Sequence, residues 1–489
     1  MSQRALPAAG HDWPQLVAAA CFAYFAVRLA TLAVLVHPLV PPDEIDHVGR
    51  IQAYAATWGL PEDSPGSFAH GLISHRPYLF YWTMGRVWQL AEHLPASSLA
   101  VLRLANALLA LATAIYGWRW IRLVSGRPLV QILFVVMLTN TLMFTGVGAS
   151  VTYDNPLHAF AAMGIFHWFA FRRDRRPPNL LWLAIALGAG ALSKRTFLPL
   201  GFLLVLALVL SEHRALRELL RAPRVALAPL RGRALPLAML AAMLLSANLF
   251  LYGSNLVRFG QLVPDADQVL SLEDAMRNRV FARNRVVERF RQGQLSLEEA
   301  LDQASRIEHP GNRSRALSLI RALDEPNDRL SADLYLHAWL DIMVSRAVGY
   351  QGNPSVLKSG GEIQLYLLVF ALAGVGLVRH GRLHGGWQPW ALLLAGGYAL
   401  VLLLLVNLPV YLRYGIPDFQ VNGRYLFPVL IPICGLVSHH LLALLPDRLH
   451  IPAVVAVSIL FLYGDLPWFA LHATPCHFVG AEALAECAR

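Results

Sequence analysis

WPQLVAAACFAYFAVRLATLAVLVHPLV, residues 13–40, is followed at once by Pro41-Pro42-Asp43-Glu44-Ile45-Asp46-His47-Val48-Gly49-Arg50. The first stretch is long enough to cross the hydrocarbon of a bilayer as a helix. The second gathers three carboxylates, an imidazole and a guanidinium where that helix would emerge. Pro42 suits a first helical turn, because it lacks the N–H that such a turn leaves unpaired. Asp43 and Glu44 then fall at the positive end of a helix dipole. Asp43 and His47 share one face, and Asp46 and Arg50 are spaced to satisfy each other. Taken alone, the stretch is compatible with an ordinary polar stop after a membrane helix and equally with part of an active site.

The remaining apolar runs settle the class. Of 489 residues, 56% are hydrophobic and only 15% charged, against roughly 25% charged in soluble domains; mean hydropathy is +0.47. Runs of spanning length recur near 14–38, 99–118, 129–147, 155–171, 179–193, 197–211, 234–252, 362–378, 387–407, 425–445 and 451–470. An all-α polytopic membrane protein with about eleven transmembrane helices is expected. The first run is read as a retained helix, since no small-residue cleavage site follows it.

The formal net charge of +10 is carried almost wholly by arginine, Lys194 and Lys358 being the only lysines. Location decides its meaning. Arg119, Arg122, Arg127, Arg172, Arg173, Arg175, Arg176, Arg214, Arg217, Arg221, Arg224, Arg231, Arg233, Arg379, Arg382 and Arg448 fall in alternate loops. The positive-inside rule makes those loops cytoplasmic, with the N-terminus inside and the C-terminus outside. Charge arranged this way concerns the bilayer, and no nucleic-acid partner is expected.

Four segments follow. Residues 1–252 form an N-terminal transmembrane module whose first outer loop, 41–98, carries the opening motif. In that loop His75-Arg76-Pro77-Tyr78-Leu79-Phe80-Tyr81-Trp82 and the residues to Leu90 read as an interfacial helix. Residues 253–361 read as a helical outer domain, 362–470 as C-terminal transmembrane helices, and 471–489 as an outer tail. The tail holds Cys476 and Cys487, which have the option of a disulfide there; Cys21 and Cys434 lie elsewhere. No metal-binding cysteine or histidine spacing is present.

Four polar clusters fall at one depth on the outer side: Asp43, Glu44 and His47; Thr152-Tyr153-Asp154-Asn155-Pro156; Ser193-Lys194-Arg195-Thr196; and Asn422-Gly423-Arg424-Tyr425. Each has a plain structural alternative. Asp154 is placed as a helix N-cap, Lys194 and Arg195 as snorkelling anchors, and Arg424 with Tyr425 as an interfacial belt. Arg28, inside the first helix, has the option of a carbonyl or carboxylate on a neighbour. Taken together, the clusters suit an anionic lipid head group: Arg and Lys bind phosphate oxygens, and a carboxylate takes a proton from an acceptor hydroxyl. Asp43 and Asp154 are also candidates to share a divalent cation, Mg or Mn. His75 and Arg76, in the same loop as Asp43, join the candidates; His158 and His167 read as packing residues.

Pro42-Asp43-Glu44-Ile45-Asp46-His47, the segment from His75 to Trp82, Thr152-Tyr153-Asp154, Ala191-Leu192-Ser193-Lys194 and the segment from Asn422 to Pro428 resemble, in order, motifs of the GT-C class of polyprenyl-phosphate-sugar-dependent glycosyltransferases. The resemblance is distant to protein mannosyltransferases and aminoarabinose transferases, and nearer to a bacterial branch catalogued as an uncharacterised membrane family. It implies a GT-C-like fold with Asp43, Glu44 and Asp154 as the acidic residues of the site. It also implies that Lys194 and Arg424 meet the lipid phosphate, with His47, His75, Arg76, Tyr78, Arg195, Asn422 and Tyr425 around the substrate. Where the relatives usually carry Lys-Pro, this chain has Arg76-Pro77.

The expected activity is therefore inverting transfer of a sugar from a polyprenyl-phosphate donor to a hydroxyl of a glycan, lipid or protein acceptor. It would take place on the periplasmic face of a bacterial inner membrane. A transporter or flippase of a lipid-linked sugar is the alternative, and would use intramembrane charges such as Arg28 as its path.

Overall fold

The computed structural model describes residues 13–64, 66–221, 234–307, 310–325, 330–381 and 386–479. Arg224, Arg231, Arg233, Arg382 and Cys487 lie outside the described residues; Cys476 is disulfide-bonded. Among the described residues there is no strand beyond two isolated bridges.

The chain opens with α1 (Trp13–Leu35), α2 (Glu44–Ala55) and α3 (Leu79–Ala91). Next come α4 (Ser98–Val124), α5 (Pro128–Thr139), α6 (Leu142–Gly148), α7 (Asp154–Asp174), α8 (Pro177–Ser193), α9 (Phe197–Arg221) and α10 (Leu235–Phe259). Six helices follow before the last apolar part: α11 (Ala266–Val269), α12 (Leu272–Met276), α13 (Arg279–Arg291), α14 (Leu297–Ser305), α15 (Pro310–Asp324) and α16 (Ala332–Val348). The last part is α17 (Gly360–His380), α18 (Gln388–Val401), α19 (Leu408–Tyr414), α20 (Leu430–Leu444), α21 (His450–Tyr463) and α22 (Leu466–His472).

A helix stands at each of the eleven expected spans. Seven are long and apolar enough to cross a membrane, or nine when each of two bent pairs counts as one span. Of the other two, α8 is apolar but only 17 residues long. α7 is more polar, and nearly every residue from Asp154 to Phe171 is buried. A helix enclosed by its neighbours has no lipid-facing surface to keep apolar.

The bent pairs are α5–α6, at 57°, and α21–α22, at 41°. Breaks free backbone groups that a bilayer cannot satisfy. Arg28 joins both of them. Its Nη2 donates to the Thr139 carbonyl at the first break, 2.7 Å away, and its Nη1 lies 2.5 Å from Asp465 Oδ2 at the second. Thr145 of α6 adds its hydroxyl to the same carboxylate at 2.8 Å, and Lys358 donates to the Gly464 carbonyl at 2.7 Å. Arg28 and Asp465 are both fully buried, so this is a closed structural joint.

Asp46 does not pair with Arg50 as their spacing suggested. It pairs instead with Arg279 of α13 at 2.6 Å, because α13 packs over the first loop and brings a cation nearer. The outer helices α13, α14 and α15 build a small core of their own, including Val286, Val287, Ala300, Ala316, Leu319 and Ile320. Phe419, from the segment leading to Arg424, completes that core. Arg346 of α16 binds Asp418 Oδ2 at 2.9 Å, anchoring the same segment. A Cβ on Gly423 would come within 2.4 Å of α16 backbone atoms, so only glycine lets this segment lie so close.

Candidate active site

α2 begins at Glu44, two residues after Pro42. Asp43 is its N-cap, in the left-handed region at φ 61°, and its side chain makes no capping hydrogen bond. Its carboxylate is thereby free of the helix and 58% exposed. Arg424 Nη2 stands 3.2 Å from Asp43 Oδ2. The same guanidinium places Nε 3.5 Å from Asp154 Oδ2, and Lys194 Nζ binds the other Asp154 oxygen. Asp154 is therefore no cap either: it is the first residue of α7, and its carboxylate lies between two buried cations. The four groups form one chain, Asp43–Arg424–Asp154–Lys194, drawn from the start of α2, the turn before α20, the start of α7 and the end of α8.

Glu44, the neighbour of Asp43 in sequence, points elsewhere. It is 1% exposed and gripped by Arg103 of α4, Nε to Oε1 at 3.0 Å and Nη2 to Oε2 at 2.5 Å. Oε1 also accepts from Val151 N at 2.7 Å. Arg103 continues to the carbonyls of Ala33 and Val36 at the end of α1. Every oxygen of Glu44 is engaged, which makes it the anchor that fixes the first loop onto α1, α4 and the start of α7.

His47 is buried one turn on. Its Nδ1 lies 2.9 Å from the Tyr81 hydroxyl, and its ring meets that of Tyr153 edge-on at 4.5 Å. Burial, then the charge of Arg50, pushes its pKa down to about 3, so the ring is neutral. His75 is tied to the end of α10: Nδ1 lies 3.2 Å from Asn255 Oδ1, while Asn255 Nδ2 donates to the His75 carbonyl. Tyr78 packs between the bundle core and the first-loop cluster. Asn422 Oδ1 accepts from Arg424 N at 3.1 Å, which caps the short 3₁₀ turn carrying Arg424.

A cavity of about 320 Å³ opens beside this chain of charges. Five of its lining residues are cationic: Arg50, Arg76, Lys194, Arg195 and Arg424, with Asp154 the one acid among the lining residues described. Arg76 has no hydrogen bond or ion pair among the described residues, and its buried Nε has no partner. Burial, then the charges of Arg50 and Arg195, lowers its pKa to about 10. Leu157, Val263, Leu402 and Val406 add apolar surface to the same lining. A cavity lined by both cationic and apolar side chains suits an anionic head group joined to an apolar chain.

Of the residues expected at the site, the structure brings Asp154, Arg76, Lys194, Arg195, Arg424 and Tyr425 to the cavity wall. Asp43 stands beside it through Arg424. Glu44, His47, His75, Tyr78 and Asn422 support it from behind. Arg50, Tyr81, Tyr153, Thr196, Tyr398 and Gln420 also line the cavity. Arg50 was hidden by its spacing to Asp46. Tyr398, inside a long apolar run, carried no signal at all.

Between the two carboxylates, where a shared divalent cation would sit, stands Arg424, and Lys194 covers the far oxygen of Asp154. Groups of three or more His, Cys, Asp or Glu placed to hold a metal are absent among the described residues. The pair as arranged does not fit a metal, because Arg424 faces one oxygen of each carboxylate and Lys194 the other oxygen of Asp154.

No curated protein matches the chain. Residues 75–230, from the loop before α3 through α9, are similar to the family model described as dolichyl-phosphate-mannose-protein mannosyltransferase, a likeness that points to a glycosyltransferase.

Proposed function

We propose that the protein is an inverting glycosyltransferase that uses a polyprenyl-phosphate-linked sugar. The acceptor is a hydroxyl on a cell-envelope glycan, lipid or protein, and the reaction runs on the periplasmic face of a bacterial inner membrane. The observation that carries this reading is the single guanidinium of Arg424 holding both the exposed carboxylate of Asp43 and the buried carboxylate of Asp154. It does so at the rim of a cation-lined cavity with an apolar wall.

Asp43 is the more suitable base because it is the acid a hydroxyl can reach. Its carboxylate takes the proton of the acceptor O–H as that oxygen attacks the anomeric carbon. The bond from that carbon to the phosphate oxygen breaks, and the phosphate leaves with the electron pair. Arg76 and Arg195 receive the departing charge, with Lys194 and Arg424 behind them. Asp154 keeps Lys194 and Arg424 in place. Arg424 in turn aims Asp43.

The test is transfer by purified protein in proteoliposomes, with polyprenyl-phosphate sugars as donors and envelope extract as the acceptor source. Asp43→Asn is expected to lose about 10²–10⁴-fold in rate, the usual contribution of a general base. Transfer at the wild-type rate would refute the mechanism. Mass spectrometry of envelope glycans with and without an intact copy names the sugar. Transport of a lipid-linked sugar finds no support in Arg28, whose guanidinium is closed off by Asp465 and Thr139.

A further inference from the structure

Asp43 is not among the residues that line the cavity, so an acceptor reaching its exposed edge needs a seat of its own. A second group of arginines, on α13 and α15, supplies one. Arg283 and Arg315 both lie over the ring of Phe419, at 5.9 and 5.0 Å from its centroid. Arg283 donates only to amide oxygens, those of Asn284 and Asn312 at 2.9–3.1 Å, and has no carboxylate partner among the described residues. The acid nearest Arg315 is Asp418, at 3.8 Å, and it already binds Arg346 at 2.9 Å. Burial, then the charge of Arg315, holds Arg283 below the usual guanidinium range, and the charges of Tyr414 and Asp43 act against that shift.

Two guanidiniums packed against one aromatic ring repel each other unless an anion lies between them. The helix that carries Arg283 is also tied to the first loop. Arg279, one turn before Arg283 on α13, binds Asp46 at 2.6 Å, three residues along from Asp43.

We infer that Arg283 and Arg315, on the face of Phe419, seat the acceptor, and that the acceptor carries a phosphate or carboxylate near the hydroxyl that Asp43 activates. This rests on the transferase reading above and names the charge of its second substrate. The donor cavity and the acceptor seat then lie on two sides of one carboxylate. Each is basic, one for the lipid phosphate and the other for the acceptor's own anion.

The test is equilibrium binding to the purified full chain, with three soluble probes: trigalacturonate, a phosphorylated maltotriose and neutral maltotriose. One anionic probe is expected to bind about tenfold or more tighter than the neutral one, and which of the two does so separates carboxylate from phosphate. Arg283→Gln with Arg315→Gln is expected to remove that preference. Arg306→Gln, an exposed arginine paired with Asp302, is expected to leave it intact. Should the double glutamine variant fold poorly, Arg283→Lys with Arg315→Lys keeps both charges and is expected to retain a measurable preference. Equal binding of neutral and anionic probes, or an unchanged preference in the glutamine variant, overturns the inference. The reading of Asp43 is judged separately, by transfer in Asp43→Asn.

Discussion

Arg424 and Asp43 meet across 381 residues of chain, Nη2 to Oδ2 at 3.2 Å. The guanidinium is 8% exposed and the carboxylate 58%. A buried cation thus holds a reachable base from behind. The second nitrogen that meets Asp154 makes the geometry depend on the width of the guanidinium. Arg424→Lys keeps the charge but cannot bridge two carboxylates in one plane. It is expected to lower the transfer rate about 10²–10³-fold, with little change in the amount of folded protein. A rate within threefold of wild type would show that bridging is irrelevant.

Adjacent acids are expected to fail differently. Glu44→Gln leaves Arg103 buried with its partner neutralised, and breaking such a pair typically costs about 3–5 kcal/mol. A large fall in melting temperature of the detergent-solubilised protein is the expected result. Asp43→Asn, at an exposed position that tolerates a left-handed backbone, is expected to melt within a degree or two of wild type. Similar melting of the two variants would remove the distinction drawn between anchor and base.

His47 makes stability fall on the acid side of neutrality. Its pKa when folded is about 3, below the ordinary value near 6.5. Between those values the unfolded chain binds a proton that the folded one refuses. The stabilisation from a neutral His47 is full above pH ~6.5 and is lost as pH falls toward 3, by up to about 1.4 kcal/mol per pH unit. Denaturation curves at pH 7 and pH 5 should therefore separate less in His47→Gln than in wild type. Equal separations would mean that the ring titrates normally.

The joint at Arg28 is open to a double-mutant cycle. Arg28→Gln alone strands Asp465 in the bundle and is expected to destabilise by about 3–5 kcal/mol. Arg28→Met with Asp465→Leu removes both charges and is expected to recover much of that loss. Transfer activity should follow the amount of folded protein in all three. If the double variant folded well yet was inactive, Arg28 would belong to the chemistry.

The bundle was legible because lipid imposes long apolar runs, and each of the eleven runs is helical, two of them as bent pairs. The bends were not, since Thr139 to Thr141 and Gly464-Asp465 interrupt hydropathy too briefly to register. Within the site, Asp43, Asp154, Lys194 and Arg424 could be grouped because alternation places their turns on one face. Local spacing misled wherever a partner from far away came closer than the neighbour four residues on. Asp46 took Arg279 in place of Arg50, and no local spacing announced that Glu44 would be held by Arg103, 59 residues along. The capping role foreseen for Asp154 gave way because two cations converge on that carboxylate. Helix spacing describes one helix; these pairings are decided by which helices pack together.

The link between Arg28 and Asp465 also orders the life of the molecule. Arg28 lies in α1 and Asp465 at the break between α21 and α22, so the arginine must wait in or near the bilayer while all the intervening helices are made before its counter-charge exists. Until then the bends at both breaks lack their common tie. Insertion of the early helices and closure of the bundle are therefore separate events. A ribosome stalled before Asp465 would leave a membrane-held intermediate with a bare charge in its first helix, the kind of feature by which membrane quality control tells unfinished chains from finished ones.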